Sequence, residues 1–272
     1  MRLAILADVH GNLPAFEAAL DHARQQRPDQ IVIAGDLVVG APDSAACWHL
    51  ATSSAYPIVR GNHERYVAQF DQPDAPPIWQ TEQFGPVRWA VAQFSAAERA
   101  AIEHLPAYLR LDDAPDLLIV HASLRNDRDT IAAYTPDAEI ALMFPAVGEH
   151  TIVRAHNHAP QVRLWNGRMI VTTGSVGLPL DSMPTAQYLL LERSGGDWRI
   201  MHQSVPYDLE ASARRFHESG YLDAVGPIAR LYLREVMTAS GQIVPFLRAY
   251  RRWQAAGPIT LHDAVVRFLQ AP

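Results

Sequence analysis

Six short runs rich in leucine, isoleucine and valine recur through the first two thirds of this chain, and they constrain its fold more than any other feature. Runs of this length and composition, bounded by turn-forming or polar residues, predict buried β-strands. The runs are "LAILAD" from Leu3, "IVIAGD" from Ile31, "YPIVRGNHE" from Tyr56, "LLIVHAS" from Leu117, "TIVRAHNH" from Thr151 and "MIVTTGS" from Met169.

The segment "LPAFEAALDHARQQRP" between the first two runs has the pattern of a helix. Pro14 stands near its start, Pro28 ends it, and apolar residues recur at helical spacing between Phe16 and Ala23. A strand, a helix and a strand in this order form a βαβ unit. We therefore expect a sheet that is at least partly parallel, with helices covering its faces.

Five of the six runs end in acidic, amide or imidazole side chains at the carboxyl end of the predicted strand. In open α/β sheets that edge is where ligands bind, so residues scattered along the sequence can converge there. The side chains are Asp8, His10, Asp36, Asn62, His63, His121, His156 and His158. The closely spaced His156 and His158 alone would be weak evidence, since alternate residues of any strand share a face.

Residues 66–109 interrupt the strands with a proline-rich loop and two helix-like stretches, Val87–Phe94 and Ser95–His104. Ser95 followed by Glu98 predicts a capping box. Because this insertion leaves directly from the run that carries His63, we expect it to form a lid or wall beside the site. Four aromatic residues of the insertion either stack a nucleobase or pack the insertion onto the core. They are Tyr66, Trp79, Phe84 and Trp89.

The chain from Asp208 onward is helical in pattern and rich in arginine. We expect residues 1–207 to form the main domain and residues 208–272 to be a helical extension packed on that domain. A solvated helix face explains the arginines. A dimer contact is the alternative, through the apolar residues Leu231, Tyr232, Phe246 and Leu247.

Composition limits the partners of the chain. Its 272 residues are 49% hydrophobic, enough for a large core, and the formal net charge of -6 gives no general attraction to nucleic acid or to anionic membranes. The single cysteine, Cys47, cannot form an internal disulfide. With no apolar run long enough for a signal peptide or a membrane span, we expect a soluble, cytoplasmic protein.

The convergent residues supply more ligands than one metal ion can take. Two divalent ions about 3.5–4 Å apart, bridged by a carboxylate, would use them and make an in-line displacement at phosphorus feasible. Oxygen donors mixed with imidazoles suit Mn, Fe or Zn better than Mg or Ca, which prefer oxygen alone. The residues thus predict a binuclear metal centre.

The ordered motifs "DVHGN", "GDLVVG", "RGNHE", "HAS" and "AHNH" resemble those of the calcineurin-like metallophosphoesterase superfamily, over Met1 to about Gly177. The stretches "FSAAERAAIEHLPAYL", "HASLRND" and "GSVGLP" are similar to its small bacterial branch. The resemblance implies a two-sheet α/β sandwich. It also implies a metal-dependent phosphoesterase acting on a small phosphomonoester or phosphodiester, a nucleotide among the candidates.

The resemblance also implies a role for each site residue. His63 would bind no metal but stand beside the scissile phosphate as an imidazolium, and the nucleophile would be a hydroxide shared by the two ions. Asp36 would bridge the ions. One ion would be held by Asp8, His10, Asp36 and His158, and the other by Asp36, Asn62, His121 and His156.

The chain departs from the family pattern at two places. "AHNH" has Ala155 and Asn157 where the usual motif has Gly and Thr, which we expect to alter packing or substrate contacts without loss of metal. "GDLVVGAP" has Val39 and Gly40 where protein phosphatases have Asp and Arg. The second departure weakens a protein-phosphatase assignment and leaves the group that orients His63 unidentified.

Candidates for substrate contact lie beside the ligand motifs. Asn12 and Arg60 either contact phosphate or serve as a turn residue and a surface charge. Arg125, Asn126 and Arg128 either select the second phosphate or the leaving group, or form an ordinary polar loop.

Two other functions are compatible with the sequence. A catalytically silent module could keep the fold and the metal without turnover, although neither the ligands nor His63 have been lost. A nuclease of the same superfamily would need a cationic groove, which the acidic balance does not favour. Turnover of an activated aryl phosphate with added Mn would distinguish the phosphoesterase from the silent module. Salt-sensitive DNA binding would favour the nuclease.

Overall fold

The computed structural model describes residues 1–270, with the side chain of Ser194 left out, so the last two residues of the predicted extension lie outside the described residues. Nine strands are described: β1 Arg2–Leu6, β2 Gln30–Ile33, β3 Tyr108–Leu111, β4 Ala114–Val120, β5 Thr151–Arg154, β6 Gln161–Trp165, β7 Arg168–Thr172, β8 Ala186–Ser194 and β9 Asp197–Val205.

Helices precede, interrupt and follow these strands. The first six are α1 Leu13–Gln25, α2 Ser44–Ser53, α3 Asn62–Gln69, α4 Gly85–Val91, α5 Ala96–Glu103 and α6 Asp137–Met143. The last five are α7 Leu209–Glu218, α8 Tyr221–Val225, α9 Ala229–Thr238, α10 Ile243–Ala256 and α11 Leu261–Gln270. In residues 1–270 no helix is both long enough and apolar enough to cross a membrane.

The strands form two mixed sheets. One has the strand order β2-β1-β8-β9 and the other the order β3-β4-β5-β7-β6. β1 and β2 are parallel, as are β4, β5 and β7, so the carboxyl ends of these strands share an edge within each sheet. The two-sheet α/β sandwich is confirmed.

Apolar residues on both faces of the strands explain why the sequence runs are continuous. Leu3 and Ile5 of β1 belong to the core between the sheets, with Ile119 of β4. Ala4 and Leu6, which alternate with them, pack on the other face in the core that contains residues of α1. A strand buried on both faces has no polar side and therefore reads as an unbroken apolar run.

The third predicted strand, over Tyr56–Glu64, is wrong. This segment makes only one isolated parallel bridge, between Ile33 and Ile58, and then turns into α3 at Asn62. Pro57 has no N–H group to extend the pairing, and Gly61 caps the helix. Asn62 and His63 therefore lie in the first turn of a helix and not at a strand end.

The insertion is helical as predicted, but it starts earlier because α3 begins at Asn62. It continues through two short 3₁₀ helices, Pro77–Gln80 and Glu82–Phe84, to α4 and α5. The Ser95 capping box is confirmed: the hydroxyl accepts from the Glu98 N–H, and the Glu98 carboxylate accepts from the Ser95 N–H. The helix therefore starts where the local sequence satisfies its free N–H groups.

The C-terminal helices pack against the loops that follow β1 and β2. Arg215 of α7 forms an ion pair with Asp43. The Tyr221 hydroxyl of α8 donates to the Gly40 carbonyl at 2.5 Å, and Ser212 donates to Asn12 at 2.7 Å. Since those loops carry predicted metal ligands, the extension lies directly beside the site.

Candidate metal centre

The loops at the ends of β1, β2, β4 and β5 and the start of α3 bring all seven predicted ligands into one buried cluster. Three overlapping groups have ligand atoms that lie within 4.8 Å of one another: Asp8, His10 and His158; His10, Asp36 and His63; and Asp36, His121 and His156. The first group contains three of the four residues of one predicted ligand set, and the third group contains three of the four residues of the other.

In the first group, two imidazoles direct acceptor nitrogens at each other, an arrangement that a cation between them would stabilise. His10 donates from Nδ1 to the Val39 carbonyl at 2.8 Å, and His158 donates from Nδ1 to the Leu178 carbonyl at 2.6 Å. Because burial lowers the pKa of both rings, to about 4 for His158, both Nε2 atoms carry lone pairs. These two lone-pair nitrogens are 3.1 Å apart.

The third group, Asp36, His121 and His156, converges on the Asn62 amide. One of its two terminal atoms lies 3.1–3.3 Å from Asp36 Oδ2, His121 Nε2 and His156 Nδ1. In the metal-free chain an amide NH₂ at that point can donate to Asp36 and His156, whereas a cation between these atoms would bind the amide oxygen together with the carboxylate and the two imidazoles. Burial lowers the pKa of His156 to about 3, so this imidazole also offers a lone pair.

The orientation of the ligand histidines is set from outside the cluster. His10, His121 and His158 each use Nδ1 to hydrogen-bond a backbone carbonyl, at 2.8 Å, 3.0 Å and 2.6 Å, and each directs Nε2 inward. Metal-bound histidines commonly have this arrangement, because the outer hydrogen bond fixes the tautomer and the ring orientation.

Most of the predicted ligands lie in strained backbone. Five of the seven have a positive φ angle that side-chain-bearing residues seldom adopt: Asp8 at 53°, His10 at 52°, Asp36 at 53°, His156 at 68° and His158 at 58°. Such conformations cost about 1–3 kcal/mol each and cluster at functional sites. The strained conformations therefore turn these side chains inward at the strand ends.

Within residues 1–270, histidines are the basic residues that lie within 4.0 Å of the cluster carboxylates. Asp8 and Asp36 are 0% and 1% exposed, and in residues 1–270 no arginine forms an ion pair with either. Asp8 Oδ1 is buried without a hydrogen bond from any residue that the structure describes. Burial raises the pKa of Asp8 well above its usual value, whereas the imidazoles of His121 and His63 outweigh burial and lower that of Asp36. Cations fit this donor set, since they would neutralise buried charge.

His121 behaves differently from the other ligand histidines. Burial alone would lower its pKa, but the Asp36 carboxylate, with Oδ2 at 3.2 Å from His121 Nε2, raises the pKa to about 9. The ring is thus a cation at neutral pH in the metal-free chain. A metal ion at this position would displace that proton, because ligand nitrogens bind in the neutral form.

Glu64 supports the centre, and sequence analysis missed this role. Its buried carboxylate accepts three backbone N–H bonds, from Asp36 at 2.8 Å, Leu37 at 2.7 Å and Gly61 at 2.8 Å. These bonds tie the Asp36 loop to the start of α3. The fourth letter of "GNHE" was the available signal, since a glutamate at the third position of a helix often reaches back to the capping residue.

His63 is held by packing and by its backbone. Its N–H donates to Asp36 Oδ1 at 2.9 Å, and its ring lies edge-on to the His10 ring and close to Tyr66. Within the described residues Nδ1 has no hydrogen-bond partner. Burial lowers the pKa of His63, although Asp36 acts in the opposite direction. Among the described residues, therefore, no carboxylate on Nδ1 orients the ring, and Asp36 Oδ2 lies 3.8 Å from Nε2.

Asn157 and Arg154 explain the unusual "AHNH" motif. The fully buried Arg154 donates to the carbonyls of Ala122 and Asp129 and, at 2.9 Å, to Asn157 Oδ1. Asn157 in turn donates to the Ile131 carbonyl at 2.6 Å. The two residues therefore bind the loop after β4 to the loop that carries His156 and His158, which sequence analysis did not anticipate.

The predicted phosphate contacts have mixed outcomes. Asn12 is buried and caps α1, and its amide donates to the Gly177 carbonyl at 3.0 Å, so these hydrogen bonds are internal and the phosphate contact stays a prediction. Arg60 and Arg125 line one cavity beside His121. Arg128 instead lines a different cavity, the one reached by His63.

Solved structures with this fold are known. A metallophosphoesterase from Sphaerobacter thermophilus is 25% identical, with a TM-score of 0.68, and the match covers 88% of this chain and 99% of that one. A hypothetical protein from Pyrococcus horikoshii OT3 is 18% identical, with a TM-score of 0.72 over the same shares. No curated protein matches this chain.

The sequence itself matches a family model. Residues 1–196 match the calcineurin-like phosphoesterase superfamily domain, which is well over half of the chain. The match includes every residue of the buried cluster of aspartates, histidines and Asn62. This chain belongs to the calcineurin-like phosphoesterase superfamily.

Proposed function

We propose that this protein is a phosphoesterase that uses two divalent metal ions to hydrolyse a small phosphomonoester or phosphodiester. The observation that carries the proposal is the pair of lone-pair nitrogens of His10 and His158, 3.1 Å apart beside the unpartnered Asp8 oxygen. Without a cation this arrangement is repulsive. Mn, Fe and Zn suit its mixed oxygen and imidazole donors.

The donor groups divide into two sets that share Asp36. Asp8, His10, Asp36 and His158 would hold one ion, and Asp36, Asn62, His121 and His156 the other. Bound divalent ions lower the pKa of water and offset the negative charge of phosphoryl oxygens. The chain contributes the positions of these ligands, since their backbone strain and outer hydrogen bonds keep the donor atoms pointed inward.

His63 would act on the leaving group. Its Nε2 lies 3.8 Å from Asp36 Oδ2, so the ring stands at the edge of the ligand cluster. The cavity above the cluster includes His63 together with Asp36, His156 and His158 in its lining. A phosphoester placed over the cluster would bring its leaving oxygen within reach of this imidazole. The negative substrate would raise the pKa of His63, which burial lowers, so that the ring could supply the proton.

Turnover after metal removal and return tests the proposal. The chain is stripped with a chelator, reloaded with Mn, Fe(II) or Zn, and assayed on p-nitrophenyl phosphate and bis(p-nitrophenyl) phosphate. We expect no turnover without metal and restored turnover with at least one metal. His150→Ala, at an exposed site outside the cluster, is the matched control for histidine loss.

Two results would decide for the alternatives. Two bound ions with no turnover of either ester under any metal would identify a silent binding module. Tight DNA binding that weakens steeply with salt, together with DNA cleavage, would identify a nuclease. The net charge of -6 argues against the second result.

A further inference from the structure

Two cavities meet at His63. The cavity above the ligand cluster has a volume of about 400 Å³. A second cavity of about 460 Å³ extends away from it, beginning at Asn62 and His63. The two share His63, Tyr232, Ile243 and Val244 in their linings, so a ligand seated over the cluster can extend into the second cavity without leaving the protein surface.

Three aromatic rings form one wall of the second cavity. The Tyr66 ring lies 5.4 Å from the His63 ring, 5.2 Å from Trp79 and 6.0 Å from Phe84, measured between centroids. Trp79 and Phe84 are stacked on each other with 27° between their planes. The aromatic wall therefore begins at Tyr66, which is in direct contact with the proposed catalytic imidazole.

Trp89, the fourth aromatic residue of the insertion, has a different role. Its indole N–H donates to the Pro42 carbonyl at 2.9 Å, and its ring packs edge-on against Tyr221. It thus fastens the insertion to the C-terminal helices. Of the other three rings, Tyr66 and Phe84 are partly exposed in the open cavity, and the buried Trp79 packs against both of them.

The C-terminal helices also contribute apolar residues to the lining of this cavity, which includes two arginines. Ile243 and Val244 of α10 line this cavity together with the aromatic rings, and Val244 is 55% exposed. Arg128 and Arg251 also line this cavity, with Gln83. In residues 1–270 Arg251 forms no ion pair with a carboxylate, and the nearest carboxylate oxygen to Arg128 lies at 3.8 Å on its neighbour Asp127.

We propose that the second cavity binds a nucleobase, so that the substrate is a nucleotide whose phosphate lies over the metal cluster. The proposal rests on the function proposed above. A planar base can stack on the aromatic wall, and a guanidinium can cover its other face or its edge. The cavity volume lies within the range usual for small-molecule sites, and Gln83 supplies an amide for the polar edge of a base.

A matched pair of esters tests the base pocket. Adenosine 5′-monophosphate and ribose 5-phosphate present the same phosphate on the same primary hydroxyl of ribose and differ at the base. With the metal-loaded chain, we expect kcat/KM for the nucleotide to exceed that for the sugar phosphate by about 5-fold or more. We expect calorimetric dissociation constants in the presence of metal to differ in the same direction.

Two variants test whether the preference for the nucleotide over the sugar phosphate arises in the second cavity. Phe84→Leu keeps an apolar side chain but removes the ring, and Arg251→Gln removes the charge at an exposed position. We expect the first to bring the ratio of the two substrates towards one, and the second to lower it about 2- to 5-fold. Leu164→Ala, 78% exposed on β6, is the control with an unchanged ratio.

The outcomes separate this proposal from the phosphoesterase proposal. Equal binding and equal turnover of the two esters would overturn the base pocket and uphold the phosphoesterase. Base-dependent binding that is lost in Phe84→Leu, without turnover of any ester, would uphold the pocket and overturn the phosphoesterase. A base preference unchanged in both variants would also overturn the pocket, since it would arise elsewhere.

Discussion

Asp36 holds His63 with one carboxylate oxygen and faces the ligand cluster with the other. Oδ1 accepts the His63 backbone N–H at 2.9 Å, while Oδ2 lies 3.8 Å from His63 Nε2 and 3.2 Å from His121 Nε2. One side chain therefore sets the distance between the proposed bridging ligand and the proposed proton donor. A change at Asp36 should disturb both.

Asp36→Asn should lower both metal content and rate. The amide oxygen can keep the hydrogen bond to His63, but an NH₂ group then replaces the oxygen that faces the imidazoles. We expect turnover to fall by at least about 100-fold and bound metal to fall below two ions per chain, measured by steady-state kinetics and elemental analysis. Asp29→Asn, at an exposed carboxylate, is the control. An unchanged rate and stoichiometry would remove Asp36 as the bridge.

His63→Ala should separate binding of metal from catalysis. Since His63 lies at the edge of the cluster and outside both proposed ligand sets, the variant should keep its metal. We expect kcat to fall by about 10²–10⁴-fold, the usual contribution of a positioned acid or base. Metal analysis and kinetics on the same preparation provide the measurement. Loss of metal in parallel with rate would instead make His63 a ligand.

Glu64→Gln should weaken the metal site by loosening the loop that carries Asp36. The buried carboxylate accepts three N–H groups, and an amide would turn one NH₂ towards a donor. An unsatisfied buried group costs about 1–3 kcal/mol, so the free energy of unfolding should fall by that amount. A positioning role additionally predicts metal affinity lower by about 10–100-fold, measured by titration. Glu17→Gln on the exposed face of α1 is the control; a loss of stability at unchanged metal affinity would leave Glu64 a structural residue only.

Asn157→Ala should loosen the loop that carries His156 and His158. The variant loses the hydrogen bonds to Arg154 and to the Ile131 carbonyl. We expect the free energy of unfolding in urea to fall by about 1–3 kcal/mol, because buried polar groups lose their partners. An unchanged urea midpoint would mean that water or a neighbouring group replaces both bonds.

The lowered pKa of Glu98 predicts that its contribution to the stability of the fold depends on pH. Hydrogen bonds from His49 and then Ser95 lower the pKa of Glu98 to about 2 in the folded chain, against 4.5 for an ordinary glutamate. A lowered carboxylate pKa stabilises the fold fully above pH 4.5, and this contribution disappears as pH falls towards 2. The melting temperature of Glu98→Gln should therefore lie below that of the native chain at pH 7, and the gap should narrow below pH 4.5 and close towards pH 2. A gap that stays constant over this range would contradict the assignment.

The sequence by itself determined which residues meet at the metal cluster. Asp8 and Asp36 follow the parallel strands β1 and β2 of one sheet, and His121 follows β4 of the other sheet, beside the parallel β5. Strand polarity brings each set to one edge of its own sheet, and the packing of the two sheets joins the sets. The same reasoning erred over Tyr56–Glu64, where a proline limits pairing and a helix begins at Asn62. It also missed the β8–β9 hairpin, which completes the first sheet.

Only the tertiary structure decided what surrounds that cluster. Glu64 and Arg154 act through backbone groups that lie up to 32 positions away in the sequence, as between Arg154 and the Ala122 carbonyl. The second cavity joins the insertion at Phe84 to the extension at Val244. The physical reason is that strand polarity and apolar periodicity are local properties of a sequence, whereas the walls of a cavity depend on how distant helices pack.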